Sequence, residues 1–128
     1  MVPGVHERDP LRLLMIALAV AGSVASAAPA AGEEERSLTR AVYEFAVTGY
    51  CGLVDAAVDA GFRAEVAALT ARAGLADEAA RRQRLRGWVA AEEEWRNRGL
   101  GGQRAWCAEE GAAAARRFKA IAGGGLQP

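Results

Sequence analysis

Apolar residues recur at helical spacing through most of this chain, and nowhere do they alternate as in a half-buried strand. From Ser37 onward, Leu38, Val42 and Phe45, with Ala41 beside them, lie three to four positions apart and predict a helix. Gly49 and Gly52 flank Tyr50-Cys51 and bend or interrupt that helix. The period resumes at Leu53, Val54, Ala57 and Val58. Ala60-Gly61 reads as a second weak point, after which Phe62, Val66 and Leu69 carry the pattern to Ala73. Gly74 is a helix stop, since glycine takes the left-handed cap without a Cβ clash.

Asp77 reads as the N-cap of the clearest helix, which extends to about Arg98. Its expected inward stripe is Leu85, Trp88, Val89 and Trp95. Glu78–Arg82, Glu92–Arg96 and Glu94–Arg98 each place a glutamate four residues before an arginine, the favourable order on an exposed helix face. Gly99-Leu100-Gly101-Gly102 predicts a turn. A last helix over 103–122 turns Trp106, Cys107, Ala114, Phe118 and Ile121 inward, and Gly123-Gly124-Gly125 ends it. The expected fold is all-α: a small bundle of three to five helices over 37–122, preceded by a flexible linker at 28–36 and followed by a disordered tail at 123–128.

Residues 1–27 carry a different pattern. Arg8 and Arg12 precede the unbroken apolar run Leu13–Ala21, and Ala25-Ser26-Ala27 supplies the small-x-small site a signal peptidase needs. The segment is read as a signal peptide cut before Ala28, with a second site before Ala31. A spanning helix needs about 20 apolar residues, which favours removal over a permanent anchor. No cysteine follows the cut, as a lipoprotein would require, and no twin-arginine pair is present. The expected mature product is soluble and periplasmic or secreted, touching the membrane only in transit.

Composition narrows the functions. The chain has 16 basic and 16 acidic residues. Two of each precede the cut, so the mature part is neutral and lacks the basic surface that nucleic-acid binding draws on. The single histidine is His6, inside the removed segment. The mature chain therefore lacks the base of a Ser-His-Asp or Cys-His mechanism, the histidine of a C-x-x-C-H haem attachment and the ligands of His/Cys zinc sites. No catalytic residue, cofactor site or metal site is read from the sequence; only hydrolysis by paired carboxylates stays open as an enzymatic alternative.

The two cysteines, Cys51 and Cys107, change the picture most. In an oxidising compartment a lone, well-separated pair is read as one structural disulfide tying the first helical region to the last helix. Closing a loop of that size contributes about 4 kcal/mol, a large share of the roughly 5–15 kcal/mol that holds a typical domain. That matters here, because an alanine-rich core with three Trp, two Tyr and three Phe buries little surface. A redox-active or metal-binding thiol pair is the alternative, and it lacks the C-x-x-C spacing such catalysts use.

Other clusters have a functional and a plainer reading. Arg81, Arg82, Arg84 and Arg86 form the candidate partner surface for an anionic headgroup, cell-wall polymer or acidic protein; the plainer reading is a solvated helix face. Glu92, Glu93 and Glu94 point in different directions along a helix, whereas calcium wants converging oxygens, so a solvated face is expected. Trp88 and Trp95, on one side of their helix, line a ligand groove or, as expected, fill the core; Trp106 is placed near the bridge. Asp55 and Asp59 share a face, with Asp59 set to meet Arg63.

Tyr50-Cys51-Gly52, Gly61-Phe62-Arg63, and Asn97-Arg98-Gly99 leading through Arg104 to Trp106-Cys107 resemble a family of small exported alphaproteobacterial proteins with two well-separated cysteines. The likeness covers about Ala41 to Phe118. Trp106 stands where that family suggests tyrosine, and Leu100-Gly101-Gly102 where an aromatic would follow the turn glycine. The resemblance implies the disulfide and the compartment, and brings no catalytic residue.

The expected function is therefore non-enzymatic: a periplasmic helical protein acting through contacts with another envelope protein. An acid- or stress-activated periplasmic chaperone is the second expectation, and a small carboxylate-dependent envelope enzyme the third.

Overall fold

Helix begins earlier in the chain than its apolar pattern suggests. The computed structural model describes residues 31–128; the signal-peptide reading of 1–27 and the start of the linker lie outside the described residues. The order is α1 (Ala31–Tyr50), α2 (Ala56–Ala73), α3 (Asp77–Asn97), α4 (Gly99–Trp106), a π turn over Cys107–Gly111, and α5 (Ala112–Ala122). The last three follow one another without a loop, so four helical rods make the bundle. Among the described residues there is no strand.

Residues 31–36, expected in a flexible linker, form the first turns of α1. Glu33 and Glu34 suit the positive end of the helix, and buried Glu34 accepts from Arg72 Nε of α2 at 3.1 Å. The segment 123–128, expected to be disordered, is a structured turn. Gly124 sits at φ +76°, the amides of Gly125 and Leu126 donate to the Ala120 carbonyl, and Arg72 donates to the Pro128 carbonyl at 2.9 Å. Gly124 allows the reversal, and Arg72 of α2 holds both the first turns of α1 and the C-terminal residue.

Gly52, at φ +67°, turns the chain out of α1, and Asp55 caps α2 by accepting from the Val58 amide at 2.9 Å. At Ala60-Gly61 the helix does not weaken: α2 runs straight through. α1 lies at the centre of the bundle, against α3 on one side and α2 and α5 on the other, while α2 also packs on α5. The core has three parts. Leu38, Ala41, Val42, Val66, Leu69 and Ala80 fill one end; Val58, Ala114, Ala115, Phe118 and Ile121 fill the α2–α5 side; Ala46, Val47, Ala91 and Trp106 surround the cysteines. Phe45 and Phe62 stack at 3.9 Å between centroids, with Phe118 edge-on to both.

Of the stripe expected to face inward from α3, only Trp95 does so, against Tyr50 and Trp106; the other three lie outside. Ala80, Gly87 and Ala91 are buried, while Leu85, Trp88 and Val89 are 62%, 44% and 43% exposed. Close approach explains the difference. A Cβ added at Gly87 would lie 2.6 Å from the Thr39 carbonyl oxygen and 2.8 Å from Val42 Cβ, so only a small-residue face lets α3 settle on α1. A polar chain fastens the same contact: Gln83 takes a hydrogen bond from the Thr39 hydroxyl at 2.9 Å and donates to Glu35 at 3.2 Å.

Candidate functional site

Among the described residues, the disulfide and an open groove are the places to which the sequence-predicted residues lead. Cys51 at the end of α1 and Cys107 at the start of the π turn are bonded, with Cα atoms 5.4 Å apart. No described cysteine is free. The bridge joins the first helix to the last rod, as the spacing implied. Gly111 covers it: a Cβ there would lie 2.9 Å from Cys51 Sγ. The Trp106 indole packs in the same cluster, where its N–H donates to Glu110 at 3.0 Å, and the same oxygen accepts from Tyr43 at 2.9 Å. Burial first, and then the Glu110 carboxylate, push the Tyr43 hydroxyl up to about 12. Tyr50 stacks on Trp95 at 5.2 Å. Both cysteines are half-buried, in the cluster that also holds Tyr43, Tyr50, Trp95 and Trp106.

The groove lies between α2 and α3. The two helices flank α1, leaving a cleft of about 700 Å³ whose floor is Val42. Phe62, Val66 and Ala67 form the α2 wall, Leu75 closes the end near the α2–α3 turn, and Trp88 forms the α3 lip. Trp88 meets Phe45 edge-on at 6.3 Å and keeps its other side in solvent. Arg63 and Arg84 stand at the rims. Arg63 pairs with Asp59 at 2.8 Å, as its spacing implied. Arg84 makes no ion pair among the described residues, so an unpartnered cation stands over an apolar trough of drug-pocket size.

The candidate arginine surface is divided by the helix. All four side chains are exposed. Arg81 and Arg84 border a shallow cleft with Thr70 and Ala80, whereas Arg82 and Arg86 lie farther round α3. Arg81 and Arg82 share Glu78, each at 3.5 Å, and Arg86 donates to Gln83 at 3.4 Å. Only Arg84 belongs to the groove. The helix-face pairs Glu92–Arg96 and Glu94–Arg98 are formed, which leaves Glu93 without a partner among the described residues.

One cluster escapes sequence reasoning. Arg117 of α5 clamps Glu44 of α1 and Glu65 of α2 between three helices. Burial works against the Arg117 charge, but hydrogen bonds and attraction from Glu65 and Glu44 outweigh it and raise its pKa. One Glu65 oxygen is buried without a hydrogen-bond partner. No spacing rule links positions 44, 65 and 117; only the tertiary fold brings them together. The clamp occupies both carboxylates with one guanidinium, and the three side chains border a cleft of about 500 Å³ together with Glu33 and Arg40. Asp55 is likewise engaged, at 2.8 Å from Lys119.

No family model, curated protein or solved structure matches this chain. Geometry is therefore what bears on function. Among the described residues no three His, Cys, Asp or Glu side chains gather as a metal site requires, and no helix is long and apolar enough to cross a membrane.

Proposed function

We propose that this chain is an exported, non-enzymatic binding protein of the cell envelope, periplasmic or secreted, that receives an amphipathic, carboxylate-bearing helix of another envelope protein in the groove between α2 and α3. The groove carries the reading: an apolar trough with an exposed tryptophan lip and the unpartnered Arg84 at its rim. Helices pack at about 8–10 Å between axes. A guest helix resting on Val42 would touch α2 and α3 together and cover Trp88, the usual way an amphipathic helix enters an apolar groove. Its carboxylates would meet Arg84 and Arg63. The leader-like segment 1–27, the disulfide and the likeness to the small exported alphaproteobacterial family support the envelope as the place.

A photo-crosslinking residue at Ala67, in the groove wall, tests the reading in living cells. A discrete adduct from Ala67, absent from the same probe at exposed Ala108 and lost with Arg84→Glu, is expected. No adduct from Ala67, while the purified protein turns over an ester or cell-wall substrate, overturns it.

The Arg117 clamp favours a second reading, an acid-activated chaperone. Protonating Glu44 and Glu65 would leave a half-buried guanidinium unpaired where α1, α2 and α5 meet, loosening the bundle and baring its apolar interior. An apolar-surface dye that stays dark on acidification, with client aggregation unsuppressed, excludes this reading.

A further inference from the structure

We propose that two copies of this chain pair through the outward face of α3, antiparallel about a two-fold axis at the level of residue 87. Three observations lead there. Leu85, Trp88 and Val89 form an exposed apolar patch at the middle of α3, at the i, i+3, i+4 spacing of a helix–helix seam. The charges around the patch invert in sign about position 87: Glu78, Arg81 and Arg82 on the N-terminal side answer Arg96, Glu93 and Glu92 on the C-terminal side, where Glu92 pairs with Arg96 within one copy. Glu93 has no ion pair among the described residues, and the Glu78 contacts to Arg81 and Arg82 are long, at 3.5 Å.

A two-fold axis brings residues at equal distance either side of position 87 face to face. The register that results is complementary throughout. Glu78 lies opposite Arg96, Arg81 opposite Glu93, Arg82 opposite Glu92, and Leu85 opposite Val89, each pairing occurring twice. A parallel arrangement would instead stack arginine on arginine and glutamate on glutamate, which repel. The face thus fits a second copy of itself in one orientation. It lies on the outer side of α3, while the groove lies between α2 and α3, so the two surfaces share only Trp88.

Sedimentation equilibrium of the purified chain across a wide concentration range, with circular dichroism to confirm folding, tests this. The wild type is expected to dimerise reversibly. The double variant R81E/R82E sets acid against acid at the 81–93 and 82–92 pairings, and E92R/E93R sets base against base there; each is expected to weaken self-association by at least about tenfold. Mixed in equal amounts, the two restore every pairing and are expected to form a heterodimer near wild-type affinity. Only a correctly folded antiparallel pair produces that gain. A wild type that stays monomeric, variants that dimerise unchanged, or a mixture that fails to pair overturns the proposal, and none of these results bears on the Ala67 crosslink.

Discussion

Alanine at Gly61 adds one methyl at the point where α2 crosses α5. The built Cβ falls 1.9 Å from the Phe118 carbonyl oxygen, 2.6 Å from its carbon and 2.9 Å from its Cα. Comfortable contacts between heavy atoms lie at about 3.5–4.0 Å, so the two backbones must part by roughly 1.5 Å, and a gap of even 0.5–1 Å forfeits a quarter to a half of each contact it opens. The contacts at stake include the Phe45, Phe62 and Phe118 rings, now 3.9 to 6.1 Å apart. Every obstructing atom is backbone, so no flexible chain end can swing away. Overpacking of this kind costs about 1–3 kcal/mol, and the absence of a soft neighbour places this site at the top of that range. Better helix propensity returns about 1 kcal/mol.

The expected net loss is about 2 kcal/mol, or a midpoint lower by roughly 8–16 °C for a domain of this size. Gly49→Ala is the control. It meets nothing within 4 Å on an exposed position of α1, and is expected to gain about 0.5 kcal/mol. Urea unfolding followed by circular dichroism measures both. If Gly61→Ala matches or exceeds the wild type while Gly49→Ala behaves as expected, the close α2–α5 crossing is refuted.

Further consequences follow from the bridge and the titrating groups. The Cys51→Ala/Cys107→Ala double variant frees a loop with a sequence separation of 56, and is expected to lose about 4 kcal/mol with a steeper urea dependence, because the unfolded chain is no longer crosslinked. A loss below about 1 kcal/mol in the same unfolding measurement refutes a structural bridge. Tyr43 titrates at about 12 in the fold against an ordinary 10.0, so its stabilisation is complete below pH 10 and is lost as the pH rises towards 12. Stability measured across that window should fall less steeply in Tyr43→Phe. Asp55 runs the other way: its hydrogen bond with Lys119, then that from the Val58 amide, holds its carboxyl below the ordinary 3.8. Its contribution is present above that value and lost as the pH drops through the folded value, so Asp55→Asn should flatten the acid limb of the stability profile.

The sequence reveals large apolar residues at helical spacing, and these mark the buried sides of α1, α2 and α5 well. Leu38, Val42, Val66, Phe118 and Ile121 all lie in the core. α3 misleads the same reasoning. Its core face is Ala80, Gly87 and Ala91, small residues whose value lies in how near α1 can come, and spacing rules see size rather than proximity. Gly61 and Gly111 belong to the same class. One reads as a helix flaw and is a helix crossing; the other draws no notice and roofs the disulfide. The cysteine pairing was legible because the chain has only two. The groove was not, since Val42, Leu75 and Trp88 come from separate segments and meet only in the fold. The arginine cluster was visible as a run, but only the helix geometry shows that Arg84 alone reaches the trough.

The proposed role requires a chain that leaves the cytosol and is closed by its two sulfurs. Intact-mass analysis of the protein recovered from the producing cells, with the cytosolic and envelope fractions kept apart, tests this most directly. The predicted species is found outside the cytosol, begins at Ala28, weighs two hydrogens less than its reduced form, and binds thiol reagent only after reduction. A cytosolic chain that still begins at Met1 and carries two titratable thiols contradicts the account.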